Sequence, residues 1–354
     1  TLEGGRGGTV TSSGHAAETL VLFPLMAPGM EVIVSNKLYG GTINLMGKSF
    51  RKFGWNAVFV DNDNPEAFRA AVTEKTRAIF VESLANPGGV IVDLEAIAKI
   101  AQEAEVPLIV DNTMATPWLC RPFEWGADLV VHSTTKFLSG QGNAMGGIVI
   151  DSGRFPWFGN AKYPSLSEPS PDYNGLTFAE TFGDLAFTLY SHAVSLRDLG
   201  CTQSPMNAWI TLNGVETLPL RMERHVENAQ KVAGFLQQHP SVEWVSYAGL
   251  SSSPYYQLAQ KYLQGKAGSV FTFGIRGGYE SGLRLLEKVE LFSHVSNIGD
   301  SRSLILHPAS TTHRQLSDEQ RLTAGAGPEV IRLSVGIESA EDLIADLEQA
   351  LEGL

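Results

Sequence analysis

One lysine of the chain has neighbours that suit covalent chemistry. The apolar run at residues 129–131 has the pattern of a strand, and it leads into a polar turn that ends at Lys136. Three hydroxyl groups, those of Ser133, Thr134 and Thr135, precede this amine, and a glycine-rich run follows it. Lysine amines form Schiff bases with aldehydes, and hydroxyl groups can bind phosphate oxygens. The pattern predicts a lysine that holds an aldehyde cofactor beside that cofactor's phosphate; the alternative is a solvated surface lysine.

Asp111 follows a second strand-like run, at residues 108–110. A short, continuous apolar run is typical of a parallel strand that is buried on both faces. Ligands of open α/β sheets bind beyond the carboxyl ends of the strands, so a carboxylate in this position points into a site. A carboxylate beside a pyridine nitrogen favours the protonated ring, which can then accept electrons from a carbanion. The alternative is an aspartate that caps a helix or turn before Asn112.

Two segments nearer the amino terminus add weaker signals. Ser12 or Ser13 can cap a helix that starts near Gly14, and a helix N-terminus binds phosphate through its free N–H groups. Ordinary helix capping explains the same sequence. Tyr39 follows the strand-like run Glu31–Ser35, and its ring can lie on a flat aromatic ligand. A packed loop tyrosine would have the same pattern.

Taken in order, these segments resemble the Cys/Met-metabolism family of enzymes that depend on pyridoxal 5′-phosphate (PLP). The resemblance runs from the first residues to the last. It implies an α/β fold, the PLP-dependent transferase fold of type I, similar to aspartate aminotransferase. Such a fold has a large domain with a mostly parallel sheet and a smaller α/β carboxyl-terminal domain. We expect the large domain at residues 1–206, a bridging helix at residues 207–238 and the small domain at residues 239–354.

The resemblance also implies a role in cofactor binding for each motif. Lys136 would bind PLP covalently, Asp111 would pair with the ring nitrogen, and Tyr39 would stack on the ring and carry a proton at the leaving group. These three residues are the expected catalytic residues. Asn86, within a Glu-Ser-Leu-Ala-Asn-Pro element, would lie near the 3′-oxygen of the cofactor. The expected cofactor-binding set is Ser13, Gly14, His15, Tyr39, Asn86, Asp111, Ser133, Thr135 and Lys136.

Two more residues are expected to bind the substrate, Asn297 and Arg332. A guanidinium fork matches a carboxylate in a bidentate manner, so Arg332 would clamp the substrate α-carboxylate. Without the resemblance, a structural ion pair at a strand would be the favoured interpretation of Arg332. Asn297 stands where many relatives have serine. Residues 155–181 are rich in Pro, Ser, Gly and aromatic residues, which predicts a long irregular loop. Together with residues 197–208, these features indicate the O-acetylhomoserine sulfhydrylase branch. The expected reaction is γ-replacement on an O-acylated homoserine by sulfide or a thiol.

Several alternatives remain open from the sequence. A methionine γ-lyase or a cystathionine γ-synthase-like enzyme would share the same motifs. A nicotinamide-dependent enzyme would need G-x-G-x-x-G after the first strand, and the pair Gly140 and Gly142 lacks the third glycine. A non-catalytic PLP-binding homologue is a further possibility, because the chain enters the family pattern at its Glu-Gly-Gly element. The upstream Tyr-x-Arg element, which reaches the phosphate of a neighbouring subunit in relatives, has no counterpart, so we expect weaker PLP retention.

The composition of the chain limits the classes of partner that it can bind. The chain has 354 residues, 43% of them hydrophobic and 18% charged, with a formal net charge of −12. This charge argues against binding to nucleic acid or to an anionic membrane. Two cysteines, no signal peptide and no long apolar run predict a cytoplasmic protein. The resemblance adds an amino-acid substrate, a sulfide or thiol co-substrate and a homotetramer built as a dimer of dimers. The scattered histidines predict no metal site, and His307 and His313 are assigned to loop structure or substrate contact.

Alternating strand and helix patterns predict a parallel sheet with helical crossovers. In the first part of the chain the predicted strands are residues 31–35, 57–61, 78–82, 108–111, 129–132 and 147–150, and the predicted helices are residues 64–72 and 94–104. A long helical pattern at residues 207–238 is interrupted by Gly214 and Pro219. Further on, the predicted strands are residues 242–247, 269–275, 303–307 and 330–335, and the predicted helices are residues 256–263, 282–289 and 340–351.

Overall fold

The computed structural model describes residues 1–85, 88–312, 314, 317, 319, 321 and 325–354. Contacts divide the chain into two compact units. The first contains Thr1–Ser83, Val92–Thr135 and Ala144–Thr211, and the second contains Leu84–Ile91, Lys136–Asn143 and Leu212–Leu354. Lys136 therefore belongs to the second unit, although its chain neighbour Thr135 belongs to the first. The expected domain limits at residues 206 and 238 stay a prediction.

Every strand predicted from the sequence is present, with bounds that differ by two residues or fewer. The strands are β1 (Gly7–Thr11), β2 (Glu31–Ser35), β3 (Asn56–Val60), β4 (Thr76–Glu82), β5 (Leu84–Ala85), β6 (Val90–Ile91), β7 (Leu108–Asp111), β8 (Leu129–Ser133), β9 (Gly147–Asp151), β10 (Val242–Ser246), β11 (Val270–Ile275), β12 (Ser293–His294), β13 (Leu304–Leu306) and β14 (Val330–Ser334). Strands β1, β5, β6 and β12 were not predicted. Two of the five residues of β1 are glycines, which are depleted in strands, and the other three strands have only two residues each.

Each predicted helix is present, and six short helices occur where none was predicted. The helices are α1 (Gly14–Leu22), α2 (Gly40–Asn44), α3 (Pro65–Ala70), α4 (Leu94–Glu103), α5 (Thr116–Leu119), α6 (Pro164–Ser167), α7 (Phe178–Phe182), α8 (Ala186–Tyr190), α9 (Arg197–Leu199), α10 (Pro205–Glu216), α11 (Leu218–Gln238), α12 (Tyr256–Tyr262), α13 (Gly278–Lys288) and α14 (Ala340–Leu351). The six that were not predicted are α2 and α5 to α9. Short 3₁₀ segments are Phe50–Phe53, Pro122–Trp125, Pro171–Tyr173, Gly183–Leu185 and Pro308–Ser310, and π segments are Leu45–Ser49 and Ser191–Leu196. Among the described residues, no helix combines the length and apolar character that crossing a membrane requires.

A seven-stranded sheet forms the centre of the first unit, in the order β1-β9-β8-β7-β4-β2-β3. Strands β8, β7, β4, β2 and β3 are parallel, whereas β9 is antiparallel to β8 and β1 is antiparallel to β9. Leu108, Ile109 and Val110 of β7 are fully buried. Burial on both faces excludes unpaired polar side chains, which explains the continuous apolar run. The mostly parallel sheet confirms the predicted α/β fold class.

The parallel strands bring polar residues to one edge of this sheet. Glu82, the last residue of β4, pairs in register with Asp111, the last residue of β7. Ser133 ends the next strand, β8. Because the carboxyl ends of parallel strands meet at the same edge, residues far apart in sequence become neighbours there. Helix α1 starts at this edge, and its N-cap Ser13 accepts a hydrogen bond from the N–H of Ala16 at 3.1 Å, which confirms the predicted cap.

The segment at residues 155–181 contributes to the core of the first unit. It was predicted to be irregular, and it contains the short helices α6 and α7. Phe155, Trp157, Tyr163 and Phe178 are buried, and the Tyr163 hydroxyl donates to the carbonyl of Arg77 at 2.9 Å. The aromatic residues that suggested a loop therefore supply apolar packing.

The second unit is built on a five-stranded sheet in the order β10-β11-β14-β13-β12. Its pairs are antiparallel except β12 with β13, which are parallel. The long helical pattern is divided between α10 and α11, and the break lies at Thr217. Pro219 stands in the first turn of α11, where proline is tolerated, whereas Gly214 lies inside α10. The sequence therefore located the interruption to within a few residues.

A buried arginine holds the backbone that follows Lys136 in the second unit. Arg221, on α11, is 7% exposed, and its guanidinium donates to the carbonyl of Phe137 at 2.8 Å and to that of Gly214 at 2.6 Å. It also donates to the hydroxyl of Thr217 at 3.1 Å. Gly140 has φ +77°, and a Cβ at this position would lie 2.2 Å from the guanidinium. The turn after Lys136 thus requires a glycine beside a buried cation.

Replacing Arg221 by methionine should destabilise the protein by about 3 kcal/mol, because it leaves two buried carbonyl groups without their donor. Urea unfolding measures this loss. Arg224→Met is the matched control, since Arg224 lies on the same helix and is exposed. Its free energy of unfolding should change by no more than about 0.5 kcal/mol. Equal stability of the two variants would contradict the proposed clamp.

Candidate active site

Asp111 lies in a tight turn that joins two strand ends of the first unit. Its carboxylate accepts a hydrogen bond from the N–H of Thr113 at 2.8 Å, and the hydroxyl of Thr113 accepts one from the N–H of Ser133 at 2.8 Å. The turn contact that was considered as an alternative role for Asp111 is therefore present. It uses the Oδ1 atom of the carboxylate.

The electrostatic surroundings of Asp111 combine opposing effects. Burial raises the pKa of this carboxyl, while hydrogen bonds from Thr113 and the positive charges of His132 and His15 lower it. Burial also lowers the pKa of His15, against the attraction of Asp111. A charge removed from water is retained only where specific donors or opposite charges replace the lost hydration. Thr113, His132 and His15 supply part of that replacement to Asp111, whose pKa stays above its ordinary value.

The start of α1 approaches the end of β8 closely. A Cβ on Gly14 would lie 2.8 Å from the Cβ of Ser133, and a Cβ on Gly147 would lie 2.1 Å from the carbonyl oxygen of Ser13. Glycine at both positions lets the helix N-terminus come close to the strands. The first N–H groups of a helix have no acceptor inside the helix, so this corner is suited to an anion. Gly14, His15 and Ser133 thus come together as predicted, and the role in phosphate binding stays a prediction.

Thr135 is placed differently from the other predicted phosphate ligands. Its hydroxyl donates to the carbonyl of Gly146 at 3.2 Å and accepts from the N–H of Gly146 at 3.1 Å. The side chain therefore closes the glycine-rich loop that follows Lys136. This structural contact was not foreseen from the sequence.

Tyr39 stands at the start of α2 and is 51% exposed. Its backbone N–H donates to the carboxylate of buried Glu82 at 2.6 Å. The ring of His15 lies 5.9 Å from the Tyr39 ring, centroid to centroid, at an interplanar angle of 33°. Sequence reasoning assigned no role to Glu82 and considered only the backbone of His15. The position of Glu82 at a strand end, like that of Asp111, was the signal that could have identified it.

In the second unit, Asn297 connects the two other predicted residues. The Lys136 amine donates to Oδ1 of Asn297 at 2.5 Å, and the Arg332 guanidinium donates to the backbone carbonyl of Asn297 at 3.1 Å. Burial lowers the pKa of Lys136, and the positive charge of Arg332 lowers it further. A lysine with a lowered pKa is populated to a greater extent as the neutral, nucleophilic amine.

The remaining predicted residues are less informative. Asn86 and His313 lie outside the described residues. His307 is buried, and its ring contacts the hydroxyl of Ser310 at 3.0 Å and the carbonyl of Pro328 at 2.9 Å, as expected for a loop residue. In the described part of the chain, no three His, Cys, Asp or Glu side chains form a group that could hold a metal ion.

Comparisons with known proteins identify the family. The family model described as Cys/Met metabolism PLP-dependent enzyme matches residues 1–352. The O-acetyl-L-homoserine sulfhydrylase of Leptospira meyeri is 49% identical over 362 residues, which cover 100% of this chain and 82% of the relative. The O-acetyl-L-homoserine sulfhydrylase 1 of Thermus thermophilus is 48% identical over 352 residues, which cover 99% of this chain and 83% of the relative.

A solved structure gives the same result for the fold. The solved protein comes from Campylobacter jejuni subsp. jejuni, is named an O-acetylhomoserine (thiol)-lyase, and contains N′-pyridoxyl-lysine-5′-monophosphate. It superposes with a TM-score of 0.96 at 42% sequence identity, covering 99% of this chain and 84% of that one. The similarity confirms the predicted fold class. The whole-chain match to the family model and the shared identity show that the chain belongs to the Cys/Met metabolism PLP-dependent enzyme family.

Proposed function

We propose that the chain catalyses γ-replacement on O-acetyl-L-homoserine, with sulfide or a thiol as nucleophile, to give L-homocysteine or methionine and acetate. One observation carries the catalytic part of this proposal. Lys136 is half-buried, its amine has a lowered pKa and donates to the Asn297 side chain, and the backbone carbonyl of Asn297 binds Arg332. A reactive amine and a carboxylate-binding guanidinium are thereby linked through one residue. The high identity to two O-acetyl-L-homoserine sulfhydrylases supports the choice of substrate.

The residues present fit PLP. The Lys136 amine suits the aldehyde, the Asp111 carboxylate suits the ring nitrogen, and the N-terminus of α1 with Ser133 suits the phosphate. Gly14 supports the last assignment, because a side chain there would fill the corner between the helix and Ser133. When bound, PLP supplies an electron sink that stabilises negative charge on the carbon atoms of an amino-acid substrate.

Lys136 would act as the general base at the substrate Cα and move protons between Cα and Cβ. Its lowered pKa favours the neutral amine that this task requires. The acceptor Asn297 holds the amine at a fixed position until substrate arrives. Loss of the Cβ proton allows the acetate group at Cγ to leave, and the nucleophile then bonds to Cγ.

Arg332 and Asn297 would orient the substrate. The guanidinium of Arg332 matches the α-carboxylate, and its bond to the Asn297 carbonyl limits the positions that it can adopt. Tyr39 would lie against the cofactor ring and donate a proton to the leaving group. Its exposed ring beside His15 supports this assignment, since a stacking residue must be accessible before the ligand binds.

We extend the proposal to a cytoplasmic homotetramer, a dimer of dimers. Helix α10 exposes Met206 and Trp209, which are 61% and 62% exposed, and Met145 in the same unit is 60% exposed. Large exposed apolar side chains on one surface are typical of a subunit interface. Cys120 and Cys201 are both free, which is consistent with a reducing compartment. The expected partners are an amino acid and sulfide or a thiol, without nucleic acid or membrane.

A paired assay tests the reaction. Purified protein with PLP and O-acetyl-L-homoserine should form homocysteine at a rate that depends on sulfide, with little 2-oxobutyrate. The reason is that a replacement enzyme must retain its intermediate until the nucleophile adds. Release of 2-oxobutyrate as the main product, with or without sulfide, would identify a γ-lyase instead. Absence of both products, with PLP bound, would identify a non-catalytic homologue.

Lys136→Ala should reduce turnover by at least about 10⁴-fold, because the same amine serves several acid–base steps that each contribute about 10² to 10⁴. Borohydride reduction of the wild type should attach a pyridoxyl group to the peptide that contains Lys136. Lys99→Ala, which removes an exposed lysine, is the control and should retain activity and labelling. Labelling of another peptide would refute the assignment of Lys136.

Asp111→Asn should reduce the rate of Cα-proton exchange by about 10² to 10³-fold while PLP still binds, because the substitution removes the charge that holds the ring nitrogen protonated. Exchange into deuterated water, followed by NMR, measures the rate. Asp61→Asn is a matched control, since Asp61 follows β3 of the same sheet and accepts from the N–H of Asp63 in a similar turn at 3.3 Å. If the exchange rate is unchanged in Asp111→Asn, Asp111 has no role at the ring nitrogen and serves only to accept the hydrogen bond from Thr113 in its turn.

A further inference from the structure

Glu18 is a buried acid that the proposed mechanism does not use. It lies one turn after Gly14 on α1 and is 3% exposed. Its Oε1 atom accepts a hydrogen bond from the hydroxyl of Thr42 at 2.7 Å. Its Oε2 atom is buried and has no hydrogen-bond partner among the described residues. An acid enclosed in this way requires an explanation, since burying a carboxylate without full pairing is costly.

The charges around Glu18 do not favour a carboxylate. Within the described ranges, no lysine, arginine or histidine lies at salt-bridge distance from it. The charged group that acts on it is Asp111, on β7, whose own neighbours include His15 and His132. Burial, followed by the negative charge of Asp111, raises the pKa of Glu18 to about 8, against the bond from Thr42. The geometry and the electrostatics therefore agree on a neutral acid at neutral pH.

Thr42 connects Glu18 to the turn that carries Tyr39. Thr42 is fully buried on α2, three residues after Tyr39. The start of α2 is fixed by the bond from the Tyr39 N–H to Glu82, and its side facing α1 is fixed by the bond from Thr42 to Glu18. Two buried acids therefore determine the position of this short helix.

We propose that Glu18 is a positioning residue that works as a neutral acid: it holds α2 and Tyr39 against α1 through Thr42 without adding a second negative charge beside Asp111. A carboxylate at this position would compete with Asp111 for the nearby positive charges. A hydrocarbon side chain would leave the Thr42 hydroxyl without its acceptor. A neutral carboxyl meets both requirements. The consequence for Tyr39 rests on the proposed function, whereas the protonation of Glu18 does not.

Infrared spectroscopy tests the protonation directly. The full-length protein with isotope-labelled glutamate, with and without PLP, should show the C=O stretch of a neutral carboxylic acid at about pH 6. This band should be absent from Glu18→Gln and should disappear from the wild type as the pH rises through about 8. The proposal would be overturned if, at about pH 6, the Glu18→Gln spectrum lacked only carboxylate bands that the wild type shows. The result does not depend on whether the protein is a sulfhydrylase.

Protonation of Glu18 also determines how the stability of the wild type, relative to Glu18→Gln, changes with pH. Below pH 4.5 the carboxyl is protonated in the folded and unfolded protein, and between pH 4.5 and about 8 only the unfolded chain releases the proton. The wild type should therefore lose stability relative to Glu18→Gln as the pH rises across this window, and the difference should level off above it. Thermal melting of both proteins over this range measures the difference. A difference that stays constant with pH would contradict a neutral Glu18.

A set of variants tests the positioning role through PLP affinity. Glu18→Gln keeps a neutral acceptor for Thr42, so PLP affinity should stay within about twofold of wild type. Thr42→Val and Glu18→Leu each break the bond and should weaken PLP binding by about threefold to tenfold. The double variant Glu18→Leu/Thr42→Val should bind PLP no more weakly than either single variant, because both substitutions remove the same hydrogen bond.

Two outcomes would overturn the positioning role: equal damage by Glu18→Gln and Glu18→Leu, or additive losses in the double variant. If Glu18→Leu fails to fold, Thr42→Val alone decides, since affinity equal to that of the wild type would show that the bond does not position α2. Failure of the wild type to bind PLP would refute the proposed function instead, and the infrared result would still decide the state of Glu18.

Discussion

Burial of ionisable groups is the constraint on which the candidate site depends. Lys136, Asp111 and Glu18 all have pKa values displaced mainly by removal from water. Each displacement favours the uncharged form, which is the reactive form for an amine but the unreactive form for a carboxylate. The structure opposes the effect at Asp111 with a Thr113 bond and two histidines, and leaves it largely unopposed at Lys136 and Glu18. The hydrogen bonds and neighbouring charges therefore differ between the two carboxyl groups, although burial raises the pKa of both.

Glycines allow close backbone approach within each of the two units. Gly14 and Gly147 allow the start of α1 to come near the ends of the strands in the first unit, and Gly140 allows the turn after Lys136 to lie against Arg221 in the second. At each point a side chain would displace the donor or the acceptor. Gly140, in the glycine-rich sequence after Lys136, is therefore required by the close approach of the buried Arg221 guanidinium.

Several residues near Lys136 make more than one hydrogen bond. Arg221 satisfies backbone carbonyls and at the same time fixes the turn that follows Lys136. Asn297 accepts from the Lys136 amine through its side chain and from Arg332 through its backbone, so a change at this residue would affect both partners. Because such contacts are shared, mutational effects at neighbouring positions are expected to be non-additive. Measurements on paired variants are therefore more informative than single substitutions.

The order of the longer strands and helices, and the polar residues at the ends of the central strands, could be predicted from the amino-acid sequence. Strands buried on both faces need continuous apolar runs, so β7 and β8 could be predicted from such runs. The polar residues Asp111 and Ser133 mark the ends of these runs. Asn297 and Arg332 carry no such local signal, and only the family resemblance connected them with Lys136. Tertiary structure alone decided the roles of Glu82, Glu18 and Arg221. Their partners lie 43, 24 and 84 residues away, and pairing over such distances depends on how the strands and helices pack.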